Sequence, residues 1–373
     1  MDGNVAAIVL AAGFSSRMGE FKPLLPLGDM TALERVVTLF RSVGIADVRV
    51  VTGHRAGELE PLLAKLGVRA VANPHYRVGM FTSVAAGVAT IEKEVDAFFV
   101  LPVDLPLVRP ATIRRLLDAR RQNPADVVYP AFSGERGHPP LIAGRRAGTI
   151  TGWHGEGGLK GALAQWDGDA LDVEVADEHV LRDMDTPDDY RAMREKYTRL
   201  EIPSEAECRV LLENVVRADD SICRHGQAVA AVAVRLGEAL NLAGCTLDIP
   251  LLAASALLHD LARREPDHAR SGARLLCEMG FDAAAGLVAD HMDMTVAEGG
   301  PVSAGEVLYL ADKLVQGERR VPLEDRFRVV MERHAHEPAI LGNIVGRLKT
   351  AQLIQRRLEA VLGRSMAEVI DTL

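Results

Sequence analysis

Hydrophobic positions change their period near the middle of the chain. Up to about residue 197, short apolar runs alternate with amphipathic stretches. The runs are VAAIVLAA from Val5, DVRVVTG from Asp47, VRAVAN from Val68, DAFFVLPVD from Asp96, DVVYPAF from Asp126 and ALDVEVA from Ala170. Between them lie helical patterns, including ALERVVTLFRSVG, GMFTSVAAGVATIEKE, RPATIRRLLDARRQ and TPDDYRAMREKY. Apolar strands alternating with amphipathic helices predict a mainly parallel α/β sheet covered on both faces. After Tyr197 the strand-like runs disappear. SICRHGQAVAAVAVRLGEAL, IPLLAASALLHDLARR, HARSGARLLCEMG, SAGEVLYLADKLVQG and NIVGRLKTAQLIQRRLEAVLG all carry apolar residues at three- and four-residue spacing, the mark of helices packed on one face. Pro203 and the capping-type Ser204 open new helix. The pattern therefore predicts an α/β domain over 1–199 and an all-α domain over 204–373.

Composition narrows the classes. A chain of 373 residues with 48% hydrophobic and 25% charged residues suits a soluble protein of two domains. Its net charge of −9 argues against a nucleic-acid binder, which needs a basic face. Most of that charge follows residue 200, where 19 Lys+Arg face 26 Asp+Glu. Cys208, Cys223, Cys245 and Cys277 form no CxxC pair. They read as buried free thiols of a reducing cytoplasm, with no disulfide framework. No apolar stretch reaches the ~18 residues of a membrane span, and the apolar start lacks a basic region before it. A cytoplasmic location follows as an expectation. Self-association into a homo-oligomer stays open.

The first candidate chemistry lies in AIVLAAGFSSRMGEFKPLLPLG, from Ala7 to Gly28. A buried strand runs into a small polar loop, Gly13 to Gly19, which holds Arg17 and precedes Lys22. Backbone N–H groups and two cations at such a place suit a polyphosphate. Ligands of parallel sheets sit at the carboxyl ends of strands, and both Gly13 and Asp104 follow apolar strands. Nucleotidyl transfer needs a triphosphate cradle, cations for the departing pyrophosphate and carboxylates for Mg²⁺. Asp104 in LPVDLPLV and Asp185 in RDMDTPDDY supply one carboxylate each. The structural alternatives are a loop-capping Asp104, and Asp183 or Asp185 as N-cap of the helix opened by Pro187.

LAAGFSSRMGEFKPLLPLG resembles the signature of the molybdenum-cofactor nucleotidyltransferases. NPHYRVGMFTSVAAG, FVLPVDLPLV, GERGHPPLIAG and DMDTPDDY follow in similar order and spacing. The resemblance spans about residues 4 to 197 and implies a Rossmann-like domain. It implies that Ala11, Ala12, Gly13, Arg17 and Lys22 hold the nucleotide and that Asp104 and Asp185 hold Mg²⁺. Ser83 and His138 fall in segments that approach base or substrate in this family. LAAG in place of LAGG resembles the cytidylyl branch, so CTP is expected ahead of GTP. The implied acceptor is a molybdopterin-type phosphate. Other members of the family act on phosphorylated alcohols or phosphonates.

The second candidate chemistry is a series of histidines and aspartates: His225, His259–Asp260, His268, His291 and Asp312. Each lies in or beside a different helical segment. Mixed imidazole and carboxylate ligands suit a transition metal that activates water against phosphorus. This order resembles the HD-domain phosphohydrolases, most specifically in ALLHDLA and LADKL. The resemblance spans about residues 220 to 330. It implies a quartet of His225, His259, Asp260 and Asp312, with His268 and His291 as the extra ligands of the binuclear subgroup. Fe, Mn, Zn and Co are not distinguished. His268 alternatively only begins a helix, Lys313 is either a phosphate contact or a surface lysine, and His334 and His336 read as exposed.

Together these features predict a bifunctional enzyme without nucleic-acid or membrane partners. One half transfers a nucleotide, with Arg17, Lys22, Asp104 and Asp185 as its working groups. The other hydrolyses a phosphoester or phosphoanhydride, with Asp260 central. A non-catalytic, ligand-sensing helical half is the competing expectation.

Overall fold

The structure is a computed structural model that describes residues 4–296 and 299–370. It divides into two compact units between Leu200 and Glu201.

The first unit is built on an eight-stranded sheet. In chain order its β elements are β1 (Val5–Leu10), the small hairpin β2 (Pro26–Leu27) and β3 (Met30–Thr31), β4 (Asp47–Thr52), β5 (Arg69–Ala72), β6 (Ala97–Pro102), β7 (Val127–Phe132), β8 (Glu135–Arg136), β9 (Leu141–Ala143) and β10 (Leu171–Glu174). The sheet runs β10-β7-β9-β6-β1-β4-β5, with β8 paired to β7 and the β2–β3 hairpin apart. Strand β1 lies between β4 and β6, parallel to both, and Ala6 to Val9 are fully buried. The order reverses at β1, because β4 follows on one side and β6 on the other. A crevice at the carboxyl ends of the strands results there. The parallel pattern has one exception. Strand β9 runs antiparallel between β6 and β7; three residues are too few to show a period in the sequence.

Helices α1 (Ala32–Ser42), α2 (Ala56–Leu66), α3 (Met80–Val88), α4 (Pro110–Gln122), α5 (Ala147–Thr151), α6 (Gly158–Leu163) and α7 (Pro187–Tyr197) accompany the sheet. Thr31 and Glu34 form a capping box on α1, and Thr186 and Asp189 form another on α7. Each cap satisfies orphan N–H groups and stabilises by about 1 kcal/mol. Helix α3 lies close over the sheet at Gly87. A Cβ there would fall 2.5 Å from the Ile8 side chain.

The second unit contains α8 (Glu205–Val210), a π-helical turn at Leu211–Val216, α9 (Asp220–Leu242), α10 (Ile249–Leu258), α11 (His268–Met279), α12 (Asp282–Ala289), α13 (Ala304–Lys313), α14 (Leu323–Arg333), α15 (Pro338–Leu362) and α16 (Met366–Ile370). Among the described residues its strands are those of the hairpin β11 (Val315–Gln316) and β12 (Arg319–Arg320), again too short to read from periodicity. Helix α13 runs through the core, with Val307 to Ala311 fully buried. Helices α9 and α10 approach closely at Gly226, where a Cβ would fall 2.5 Å from the Leu257 carbonyl oxygen. That contact sets the neighbouring His225 beside the end of α10.

The cysteines are free, but only Cys208 is buried. Cys223 and Cys245 are half-buried and Cys277 is exposed. No helix among the described residues is long and apolar enough to cross a membrane.

Candidate active sites

The loop after β1 is held from both ends. Ala11 N–H donates to the Val51 carbonyl at 2.9 Å, and the Ala12 carbonyl accepts from His54 N–H at 3.2 Å. Beyond them, Ser15 adopts a positive φ of 55°. Its carbonyl accepts from Met18 and Gly19 N–H, and its Oγ accepts from Lys22 N–H. From Gly13 to Arg17, no backbone N–H donates to another group among the described residues. The loop lines a pocket of about 290 Å³ together with Lys22, Tyr76, Ser83, Asp104 and Asp185. Ala11 lines the pocket, although its own N–H is already taken by Val51.

Two cations and two carboxylates meet in that pocket. Lys22 Nζ is 2.6 Å from Asp185 Oδ1 and 3.4 Å from Asp104 Oδ2, and Arg17 Nη2 is 2.8 Å from Asp185 Oδ2. Met184 N–H donates to the Asp104 carbonyl at 2.9 Å, tying the two acidic loops together. The capping alternative for Asp185 does not hold, because Thr186 is the N-cap of α7. Burial pushes the Asp104 carboxyl above its ordinary pKa, with Lys22 opposing and Asp183 and Asp185 adding to the rise. Two carboxylates meeting in one pocket offer the oxygen ligands that a divalent cation takes.

Ser83, at the start of α3, is buried, and its Oγ accepts from Asn73 Nδ2 at 2.9 Å. Asn73 also fixes the next turn by accepting from His75 N–H. Nothing in the sequence marks Asn73, because a lone Asn between a strand and Pro74 reads only as a turn residue. His138 lies outside the pocket lining. Its Nδ1 is buried without a partner among the described residues, and burial lowers its pKa.

The helical unit gathers all six of its predicted ligands. His225 stands near the start of α9, His259 caps α10, and Asp260 follows in the turn. His268 is the first residue of α11, His291 follows α12, and Asp312 ends α13. Asp260 sits between two sets. Its Oδ2 lies 3.8 Å from His225 Nε2 and 3.5 Å from His259 Nε2. Its Oδ1 lies 3.3 Å from His268 Nε2 and 3.8 Å from His291 Nε2. Asp312 Oδ1 completes the first set, 3.3 Å from His225 and 3.6 Å from His259.

The outer nitrogens explain the inner ones. Nδ1 of His225, His259 and His291 lies 2.7–2.8 Å from the carbonyls of Gly317, Ala256 and Val288. A proton there leaves Nε2 as a lone pair aimed inward. His259, His268 and His291 Nε2 and Asp260 Oδ1 are buried without a hydrogen-bond partner among the described residues. Such orphans are costly unless a ligand joins them. The donor set and its unsatisfied atoms fit one or two divalent metals, with Asp260 between them. Burial raises the pKa of both aspartates, but the groups around them outweigh it. Asp312 is held well below the carboxylate range by Lys313, His225 and His259, and Asp260 by its histidines and Arg263.

The reading of Lys313 as a surface lysine is corrected. It is buried and donates to the His291 carbonyl at 2.9 Å and to Asp312 Oδ2 at 2.8 Å. It joins the two sides of the cluster. His334 ends α14 beside Glu337, 2.8 Å away, and neither His334 nor His336 enters the cluster.

Residues 7–171 match the family described as the MobA-like NTP transferase domain, and residues 223–327 match the HD domain. The chain joins a MobA-like NTP transferase domain to an HD domain. The transferase unit is similar to the molybdenum cofactor cytidylyltransferase of Escherichia coli K12, at 29% identity over 197 residues. That alignment covers 52% of this chain and 98% of the relative. It is also similar to the bifunctional protein GlmU of Gloeobacter violaceus, at 34% identity over 128 residues, covering 34% of this chain and 28% of that protein. Among solved structures, a nucleotidyl transferase from Methanothermobacter is 29% identical, with a TM-score of 0.46, over 52% of this chain and 98% of that one. The two matched domains make the transferase unit a nucleotidyl-transfer enzyme and give the HD unit a metal-binding site of hydrolase type.

Proposed function

We propose that the transferase unit moves a cytidylyl group from CTP to a molybdopterin-type phosphate and releases pyrophosphate. The observation that carries this reading is the meeting of Lys22, Arg17, Asp104 and Asp185 in the pocket lined by the 13–17 loop. In the transfer, an acceptor phosphate oxygen forms a bond to the α-phosphorus, and the bond from the α-phosphorus to the bridging oxygen breaks. Backbone donors and Arg17 hold the β- and γ-phosphates in line, and Lys22 meets the charge that gathers on the pyrophosphate. Asp104 and Asp185 would hold Mg²⁺, which supplies charge neutralisation at the phosphates when bound. No side chain becomes covalently attached; the work is orientation and electrostatics. CTP over GTP rests on LAAG and on the similarity to the cytidylyltransferase.

The HD unit, on this reading, hydrolyses a phosphoester or phosphoanhydride. Its six ligands would hold one or two divalent transition metals, which supply Lewis-acid stabilisation at phosphorus when bound. Lys313 orients Asp312 and the His291 segment, while Arg263 and Arg326 place positive charge near the aspartates. A cytoplasmic setting suits the four free cysteines.

The test is pyrophosphate release by the purified chain, screened over CTP and GTP with molybdopterin and with simple phosphoalcohols. Release with CTP and molybdopterin is the expected result. Turnover of a phosphoalcohol with none for molybdopterin would replace the acceptor.

A further inference from the structure

The wall of the transferase pocket carries an aromatic shelf that the phosphate chemistry does not use. Phe14 lies 5.2 Å from the His54 ring and 5.3 Å from the Tyr76 ring, and His54 and Tyr76 are 6.1 Å apart, all tilted. Phe14 and Tyr76 line the same pocket as Lys22, Asp104 and Asp185. Among its described residues, the transferase unit leaves three large apolar side chains exposed: Phe14 at 46%, Val78 at 79% and Met80 at 68%. All three lie on the segments that form this wall.

The shelf is built into the fold. Gly53 follows β4 directly, where a Cβ would fall 2.7 Å from Tyr76 Cβ and 2.9 Å from Ala12 Cβ. Only glycine lets the Tyr76 ring lie against the strand end. His54 is fixed by its N–H bond to the Ala12 carbonyl. Next to Tyr76, the Arg77 guanidinium stands 5.7 Å from the ring centre and pairs with no carboxylate among the described residues.

We infer that this shelf receives a flat heteroaromatic ring carried by one of the two transferase substrates, with Arg77 taking a phosphate oxygen of the same substrate. The inference rests on the proposed transfer reaction and adds a recognition element to it. Two aromatic rings on one pocket wall, Phe14 and Tyr76, with His54 packed against both, suit a planar ring, whose stacking is insensitive to its substituents. A free cation beside them suits an anionic substituent on that molecule. A cluster serving only to close the loop would bury Phe14, and it does not. The ring belongs either to the nucleobase or to the acceptor.

Phe14→Leu and Tyr76→Leu keep apolar bulk and remove a π-face; Phe14→Tyr restores it. Each variant of the full chain is measured for CTP dissociation constant and for acceptor KM in pyrophosphate release. The screen uses molybdopterin and ring-free phosphoalcohols. Loss of a stacking face is expected to cost about tenfold, recovered in Phe14→Tyr. Weaker CTP binding assigns the ring to the nucleobase. Unchanged CTP binding with a raised KM for molybdopterin assigns it to the acceptor. Both constants within twofold of wild type in both Leu variants would overturn the shelf and leave the transfer reading standing. A wild type that turns over only ring-free acceptors, with CTP affinity indifferent to both substitutions, would remove the shelf and the molybdopterin assignment together.

Discussion

Lys22 Nζ stands 2.6 Å from Asp185 Oδ1, although 163 positions separate the two residues. The lysine follows the loop after β1, and the aspartate precedes the last helix of the transferase unit. Their meeting closes the pocket around its charged groups.

Lys22→Met keeps the buried stem and removes the charge. Asp104 and Asp185 then face each other without their shared cation. Pyrophosphate release is expected to fall by about 100-fold or more, the scale on which one preorganised charged donor acts. Phosphohydrolase activity of the HD unit should stay within twofold. A Lys22→Met protein that transfers normally would remove the lysine from the reaction.

Asp260 offers one oxygen to each set of histidines, so its removal should empty both. Asp260→Asn is expected to lose most of the bound divalent metal, measured by elemental analysis after dialysis, and its phosphohydrolase activity with it. His334→Ala and His336→Ala should keep the wild-type metal content. Pyrophosphate release by Asp260→Asn should be unaffected. Full metal occupancy in that variant would show that the histidines and Asp312 hold the ions without Asp260.

Much of this was legible in the sequence, for identifiable reasons. Long apolar runs such as VAAIVLAA announce central strands, because only full burial removes the polar alternation. The six candidate ligands were legible because their order along the chain, with ALLHDLA and LADKL as its specific parts, resembles the HD-domain phosphohydrolases. What stayed hidden was short or relational. Strand β9 and the β11–β12 hairpin have no room for a period. The burial of Lys313 depends on the carbonyl of His291, which no local pattern encodes. Asn73 and Gly53 matter through what lies against them: Ser83 for one, Tyr76 and Ala12 for the other.

Gly226 tests how tightly helix packing controls the metal site. A side chain there meets the backbone oxygen of Leu257, which cannot swing away as a side chain can. Gly226→Val is expected to push α9 from α10 and to destabilise the HD unit by about 1–3 kcal/mol, typical of overpacking. Because His225 is the preceding residue, its Nε2 should leave the Asp260–Asp312 side of the cluster. Metal affinity should therefore fall together with the melting temperature. Unchanged affinity in a destabilised protein would separate packing from ligand placement.

Acid should reveal a different kind of support in the transferase unit. Asp177 is buried and accepts from Arg109 N–H at 2.8 Å and Thr112 Oγ1 at 2.7 Å, holding the first turn of α4. Burial raises its pKa, but His179 and Arg109 outweigh it, so the folded value lies below the ordinary 3.8. The unfolded chain therefore binds this proton more readily than the folded one. The stabilisation from Asp177 is full above pH 3.8 and is lost as pH falls through the depressed folded value. Asp177→Ala strands buried donors and should cost about 3 kcal/mol near neutral pH. Both tryptophans, Trp153 and Trp166, lie in this unit, so their fluorescence follows its unfolding. The gap between wild type and variant should narrow as pH drops below 3.8. A gap that stays constant down to pH 2 would mean that the lost contacts are those of shape alone.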